Sequence, residues 1–315
     1  MNASRNAWLG LALLGLIWGS SYLLIRIGIE QVPPFQLVFL RTAIAALGLN
    51  VVLKARGLSW PRDGRSLRAI LILGIVNTVV PFTLITWGEK YIASSLAGIL
   101  QGTAVLFSML IAHFVFVDER LNGRKLAGCL IGFFGVAVLA SRSGDDAQIG
   151  DTNMRMFGQL AVVAASLCYA IGGAVSRQAL QGRIQPLMAS AGAMTVATVL
   201  SGLVAYGLPG LAATPVSLSA LRTPVAAAVI VLGIWNTFGA YLIYYALIEK
   251  LGAARTSMVA YIIPAVSLAL GALFLHEPID TPLLIGSALI VGGIALVSLK
   301  LGLPRKFLGS RVATS

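Results

Sequence analysis

Charged side chains are scarce in this sequence: Asp, Glu, Lys and Arg together make up only 11% of its 315 residues. A water-soluble domain carries roughly a quarter. The shortage excludes a soluble globular chain, and 58% hydrophobic residues with a mean hydropathy of +0.90 point to the bilayer instead. Cysteine is nearly absent, and Cys129 and Cys168 both lie inside apolar runs, which excludes a disulfide scaffold and reads as packing. The two histidines, His113 and His276, have no partner at metal-ligand spacing, so no metal or other cofactor is expected. Acidic residues number 11, and all of them fall in loops or at helix ends. A proton relay of the usual mid-membrane kind therefore has no obvious carboxylate. An intramembrane hydrolase or metalloenzyme lacks its residues as well, and the expectation is that the chain is not an enzyme.

What the sequence has in quantity is long apolar runs separated by short polar breaks. A spanning helix needs about 20 predominantly apolar residues. Ten runs meet that need, near 7–28, 35–53, 69–88, 94–117, 124–141, 157–176, 186–206, 224–247, 254–275 and 282–300. The predicted fold class is thus an all-α membrane protein of ten transmembrane helices. The first run, from Trp8 to Ile25, is long enough to be kept as a helix and no small-x-small cleavage site follows it.

The net charge of +12 does not indicate nucleic acid, because the basic residues sit between the runs and not in one patch. With the N-terminus inside, cytoplasmic segments hold 17 of the 23 lysines and arginines, among them Lys54, Arg56, Arg62, Arg65 and Arg68 in one loop. That bias is the positive-inside signature. Both termini are expected to be cytoplasmic, with 142–156 on the far side. The expected location is the inner membrane of a bacterium.

The chain also repeats itself. Leu73-Gly74-Ile75-Val76-Asn77-Thr78 and Leu232-Gly233-Ile234-Trp235-Asn236-Thr237 agree at five of six positions, 159 residues apart. Glu89-Lys90 and Glu249-Lys250 match in nearly the same register, as do Phe116–Glu119 with Phe274–Glu277, Gly128 and Gly135 with Gly286 and Gly293, and Trp18 and Arg26 with Tyr169 and Arg177. The expected units are 1–141 and 157–300, a linker at 142–156, and a tail at 301–315. Because each unit has five helices, an odd number, the second copy must insert upside down. Inverted repeats of this kind place a solute site near the midplane and permit alternating access.

These motifs carry a resemblance. Ile17-Trp18-Gly19-Ser20-Ser21-Tyr22, Leu40-Arg41, Phe116 to Glu119 followed by Gly128, and Pro264 with Phe274 to Glu277 followed by Gly286 stand in an order that resembles the EamA family of the drug/metabolite transporter superfamily, over about residues 8–300. The resemblance implies a ten-helix carrier, often an exporter of amino acids or other small metabolites. One departure stands out: the register sets Ala104 opposite Pro264, so the two halves are expected to bend differently.

Polar and kinking residues at depth are the candidate solute-binding residues. Asn77 and Asn236 must face protein or a wet cavity, since an unpaired amide in hydrocarbon is costly. Interhelical bonding is as good a reading of them as cavity lining; Pro81, one turn after Asn77, favours the cavity. Trp18 and Tyr22 share a face of helix 1 by their spacing, Tyr169 does the same on helix 6, Tyr241 and Tyr244 on helix 8, Gln101 on helix 4, and Tyr261 with Pro264 on helix 9. Buried Tyr and Trp need partners for their polar tips, although a single aromatic is more often packing or an interfacial anchor. Arg41 is expected to snorkel to the outer headgroups, with a solute-orienting role as the minority reading. Glu119 and Glu277 are expected to brace loops. With amides and aromatics but no deep fixed charge, the cavity suits a neutral or zwitterionic small-molecule solute, an aromatic amino acid included. A drug-like compound or sugar derivative fits as well, and a passive channel or an enzyme on lipid-linked substrates stand as the rival classes.

Overall fold

A computed structural model describes residues 2–117, 120–141, 152–179, 184–208 and 213–298. The linker at 142–151, the Asp118-Glu119 pair, Arg183 and the tail lie outside the described residues. Ten apolar helices follow in order: α1 (Asn2–Gly28), α2 (Pro34–Ala55), α3 (Gly64–Gly88), α4 (Ser94–Val115), α5 (Gly123–Ala140), α6 (Thr152–Ala179), α7 (Pro186–Gly207), α8 (Thr223–Leu251), α9 (Val259–Leu275) and α10 (Thr281–Ser298). Nine of them are long and apolar enough to cross a membrane, and α9 is a shorter apolar helix preceded by the turn Ala253–Thr256. The bounds follow the hydropathy reading with α1, α3, α6 and α8 extended by four or five residues and α9 starting later, at Val259. Asp63 starts α3 early by accepting a bond from Ser66 N at 2.9 Å, and α6 begins at Thr152, inside the expected linker.

Local chemistry sets the ends. Asn122 and Asp280 cap α5 and α10 through bonds to Lys125 N and Leu283 N, both 2.9 Å. Pro34, Pro186 and Pro224 sit in the first turns of α2, α7 and α8, where a missing N–H costs nothing. Large apolar side chains remain exposed along the outside, such as Leu9, Leu13 and Leu16 on α1, Leu126, Leu130 and Phe134 on α5, and Leu284 and Ile285 on α10. Water would penalise such a surface, whereas acyl chains do not.

The packing pairs are matched between the halves. α5 lies on α10, α2 on α7 and α4 on α9; α1 meets α9 as α6 meets α4, and α1 meets α8 as α6 meets α3. The α5–α10 contact is built on glycine: a Cβ at Gly128 would stand 2.8 Å from Gly293 O, and one at Gly135 2.8 Å from Gly286 O.

Described residues of the links after α1, α3, α7 and α9 meet on one face, here the first face. Gln36 Nε2 donates to Val216 O at 2.6 Å and Val216 N to Gln36 Oε1 at 2.8 Å, joining the α1–α2 and α7–α8 regions. Arg222 adds an ion pair with Glu30 and a 2.8 Å bond from its N–H to Gln31 Oε1. Glu277, after α9, holds the start of α4: its carboxylate accepts from Ser94 N (2.7 Å), Ser94 Oγ (2.8 Å) and Ser95 N (2.9 Å). This is the bracing role expected of it, with a carboxylate favourably placed at a helix N-terminus. On the opposite, second face a shallow cavity of about 250 Å³ opens between α3 and α6, lined by Arg65, Arg68, Ala69, Ile72, Val175 and Gln178. At the first face the same two helices are in tight contact, Gly88 against Gly158.

Candidate functional site

The repeated Leu-Gly-Ile-x-Asn-Thr motif is where two helices lose their regular winding. Ile75–Val79 in α3 and Ile234–Gly239 in α8 are π-helical. A π turn inserts a residue into the helix and leaves backbone groups short of partners, and such turns are frequent at functional sites. In α8 the Thr237 hydroxyl donates to Leu232 O at 2.7 Å, filling that deficit. In α3 the equivalent Thr78 hydroxyl is buried without a partner.

Arg41 reaches the α8 turn. Its Nε and Nη2 donate to Thr237 Oγ1 at 3.3 and 3.2 Å, and its guanidinium lies 4.1 Å from the Phe82 ring centroid. The side chain is 5% exposed. The snorkelling expectation is therefore corrected: a hydroxyl and an aromatic face supplied by α8 and α3 draw the guanidinium inward. The premise that no fixed charge lies at depth falls with it. Tyr169 and Tyr241 pack in the same hydrophobic cluster as Phe82, whose ring the guanidinium covers. No described carboxylate lies within ion-pair distance of it.

The other expected residues fall into groups around this centre. Trp18 packs against Tyr241 (ring centroids 6.3 Å) and Tyr244 (5.4 Å), and Tyr245, next along α8, bonds Ser190. Tyr22 is buried and Tyr169 bridges two hydrophobic clusters, one with Tyr22 and one with Phe82. Pro81 is buried beside Phe82. Asn236 is engaged on its donor side: its Nδ2 donates to Ile17 O, to Ser20 Oγ at 3.0 Å and to Ser21 Oγ at 3.1 Å on α1, while its Oδ1 is buried without a described partner. Asn77 faces α6 at Gly172, where a Cβ would stand 2.5 Å from Asn77 Oδ1, and it makes no hydrogen bond to a described residue. Gln101 ends the first segment of α4 at a break on Gly102, with its Oε1 buried and unpartnered. Tyr261 donates to Ile294 O on α10 at 3.0 Å, away from the Trp18 cluster, and Pro264 lies buried within α9.

Reading single helices missed Phe82 and the depth of Arg41; Thr237 was in view on one face with Tyr241 and Tyr244, though not among the binding candidates. Thr237 carried a signal, since it belongs to the repeated motif; Phe82 carried none beyond its adjacency to Pro81.

An all-helical chain of apolar spans with an aromatic and polar centre has the build of a membrane transporter. The chain belongs to the EamA-like transporter family, whose model matches residues 6–141 and 156–299. It is similar to an uncharacterized transporter of Archaeoglobus fulgidus, 28% identical over 92% of this chain and 98% of that one. A probable terminal-alkyne amino-acid exporter of Streptantibioticus cattleyicolor is 25% identical over 99% and 97%. A probable amino-acid metabolite efflux pump of Escherichia coli is 23% identical over 90% and 91%. A solved crystal structure, 24% identical, covers 93% of this chain with a TM-score of 0.64, a likeness of fold.

Proposed function

We propose that this transporter is a secondary carrier, an exporter of an amino-acid-like solute, which binds with its carboxylate on Arg41 between the two halves. The observation that carries this reading is the burial of Arg41 with no described carboxylate at ion-pair distance. A buried charge is costly unless compensated, and the Nη1 hydrogens meet no described acceptor. A guanidinium is suited to bidentate carboxylate binding. The surrounding tyrosines and Trp18 offer aromatic faces and hydroxyls for the rest of a zwitterion. Two relatives named for amino-acid export agree with that class.

Alternating access by two inverted five-helix halves is part of the proposal. It is supported by the matched packing pairs and by the paired π turns. We place the second face, with both termini, in the cytoplasm of a bacterial cell, following the basic-residue bias.

The test is counterflow in proteoliposomes across amino acids and related metabolites, at fixed pH and voltage. Saturable, trans-stimulated exchange of a carboxylate-bearing solute is expected. Flux that rises linearly with concentration would assign a channel, and failure of every carboxylate would remove the assigned role of Arg41. Cysteine labelling from outside is expected to reach a probe at Asp146 and spare one at Arg65; the reverse would invert the orientation.

A further inference from the structure

Glu89 follows the last residue of α3, in the turn that leads to α4. It is fully buried, and neither carboxylate oxygen has a hydrogen-bond partner among the described residues. Its neighbours do not neutralise it directly. Arg26 of α1 donates its Nη1 to the main-chain carbonyl of Glu89 at 2.5 Å and makes no bond to the carboxylate. Glu277, from the link after α9, accepts from three donors at the start of α4. The groups that act on Glu89 are thus Glu277, Arg26 and Arg41, and Glu89 in turn acts on the buried Tyr22 of α1. Lys90, the next residue, is exposed. The close Gly88–Gly158 contact packs α6 over the turn and excludes water from that side.

An ionised carboxylate in such a place lacks both solvent and hydrogen bonds, so the protonated form is favoured. Burial first, and the nearby Glu277 carboxyl second, push the Glu89 carboxyl well above the usual carboxylate range, against the pull of Arg26 and Arg41. The repeat-equivalent Glu249 is exposed, so the feature belongs to one half only.

We propose that Glu89 is a proton-binding site of this carrier, sited where the turn after α3, the end of α1 and the link after α9 meet. On ionisation the O–H bond breaks, the electron pair stays on the carboxylate, and the proton leaves to water. The site rests on the carrier reading only for its effect on transport. Charge connects it to the solute site. A carboxylate bound at Arg41 offsets the positive charge that opposes protonation of Glu89, so solute anion and proton favour each other's binding.

Infrared titration of the purified full-length protein tests the site without any solute. The carbonyl-stretch band of a protonated carboxyl is expected at pH 7 in the wild type and is expected to be missing in Glu89→Gln. Glu277→Gln, which keeps an acceptor for α4, is expected to lower the midpoint of that band by about one pH unit or more, because a like charge is lost. In proteoliposomes the exchange rate of the wild type is expected to follow the same midpoint, and that of Glu89→Gln to be flat with pH. A wild-type spectrum identical to that of Glu89→Gln, or an unchanged pH profile in the variant, would overturn the proposal. A Glu89 band in a protein that exchanges no solute would support the proton site and count against the carrier.

Discussion

Arg41 in the first half faces no counterpart in the second. Pro34 and Pro186 each open the second helix of their half, and counting from them sets Ala193 opposite Arg41. The same contrast recurs at depth. Asn236 finds the hydroxyls of Ser20 and Ser21 on α1, whereas Asn77 finds Gly172, the equivalent of Ser21, and stays unbonded. Thr237 is bonded on both sides and Thr78 on neither; Glu89 is buried and Glu249 exposed. One plan of five helices therefore holds two different sets of polar groups. In the second half, the asparagine and threonine of the motif are engaged in helix contacts. In the first, neither Asn77 nor Thr78 bonds a described side chain or carbonyl, whereas in the second only the Asn236 Oδ1 is left unfilled. Packing tolerates the repeat, while binding a solute without two-fold symmetry requires the repeat to be broken.

The largest expected effect comes from removing the residue without a counterpart. Arg41→Ala makes position 41 match Ala193, and loss of a buried, hydrogen-bonded charge contact is worth about 2–5 kcal/mol. A loss of apparent solute affinity of roughly 30-fold or more is expected in counterflow. Arg41→Lys is expected to recover little of it, because an ammonium cannot reproduce the guanidinium fork. Affinity within a few-fold of wild type in both variants would equate the two halves at this position.

Next in size is the asparagine pair. Asn236→Leu is expected to lower the melting temperature, since three contacts to α1 are lost and such bonds average about 0.6 kcal/mol each in a membrane protein. Asn77→Leu is expected to leave the melting temperature near wild type and to weaken solute binding. Equal losses of stability in both would show that the amides are bonded alike.

A smaller effect concerns stability against pH. Because the folded-state proton affinity of Glu89 is raised, its contribution to stability is fully present below the ordinary carboxylate value, roughly 4.3, and is lost as pH rises through the raised folded value. The melting temperature is thus expected to fall as pH increases above that ordinary value, and Glu89→Gln is expected to reduce the fall. Glu249→Gln, at the exposed equivalent, is expected to leave it unchanged. The smallest effect is expected at Pro264→Ala, which copies Ala104. It removes the clash of a helix-interior proline, raising the melting temperature slightly and slowing exchange.

Much of the fold was legible because hydropathy marks a spanning helix by length alone. All ten apolar segments follow from it, and the repeated Asn-Thr and Glu-Lys pairs located the places where the helices change character. The π turns were not legible there, since the motif records position and carries no sign of winding. Arg41 was misread for a physical reason. Snorkelling is judged on one helix against the bilayer, and the outcome depended on Thr237 and Phe82 from helices far along the chain. Glu89 was correctly placed at a helix end, but its burial comes from the close approach of Gly88 and Gly158, a tertiary contact that no local pattern announces. Glu277 was legible as a brace because it sits just beyond α9 in both sequence and space. Among the binding candidates, Tyr241 and Tyr244 share a face as their spacing suggested and both meet Trp18, a contact between helices that spacing does not record, while Tyr261 turned to α10, a choice set by the Ile294 carbonyl and invisible in helix 9 alone.

The most direct measurement compares, in proteoliposomes, counterflow of a transported amino acid with that of its methyl ester, in the wild type and in Arg41→Ala. A solute carboxylate held by Arg41 is expected to make the wild type prefer the acid by at least about tenfold, and Arg41→Ala is expected to lose that preference. Equal exchange of acid and ester by the wild type, or an undiminished preference in Arg41→Ala, would contradict the assignment of Arg41 as the solute's anchor.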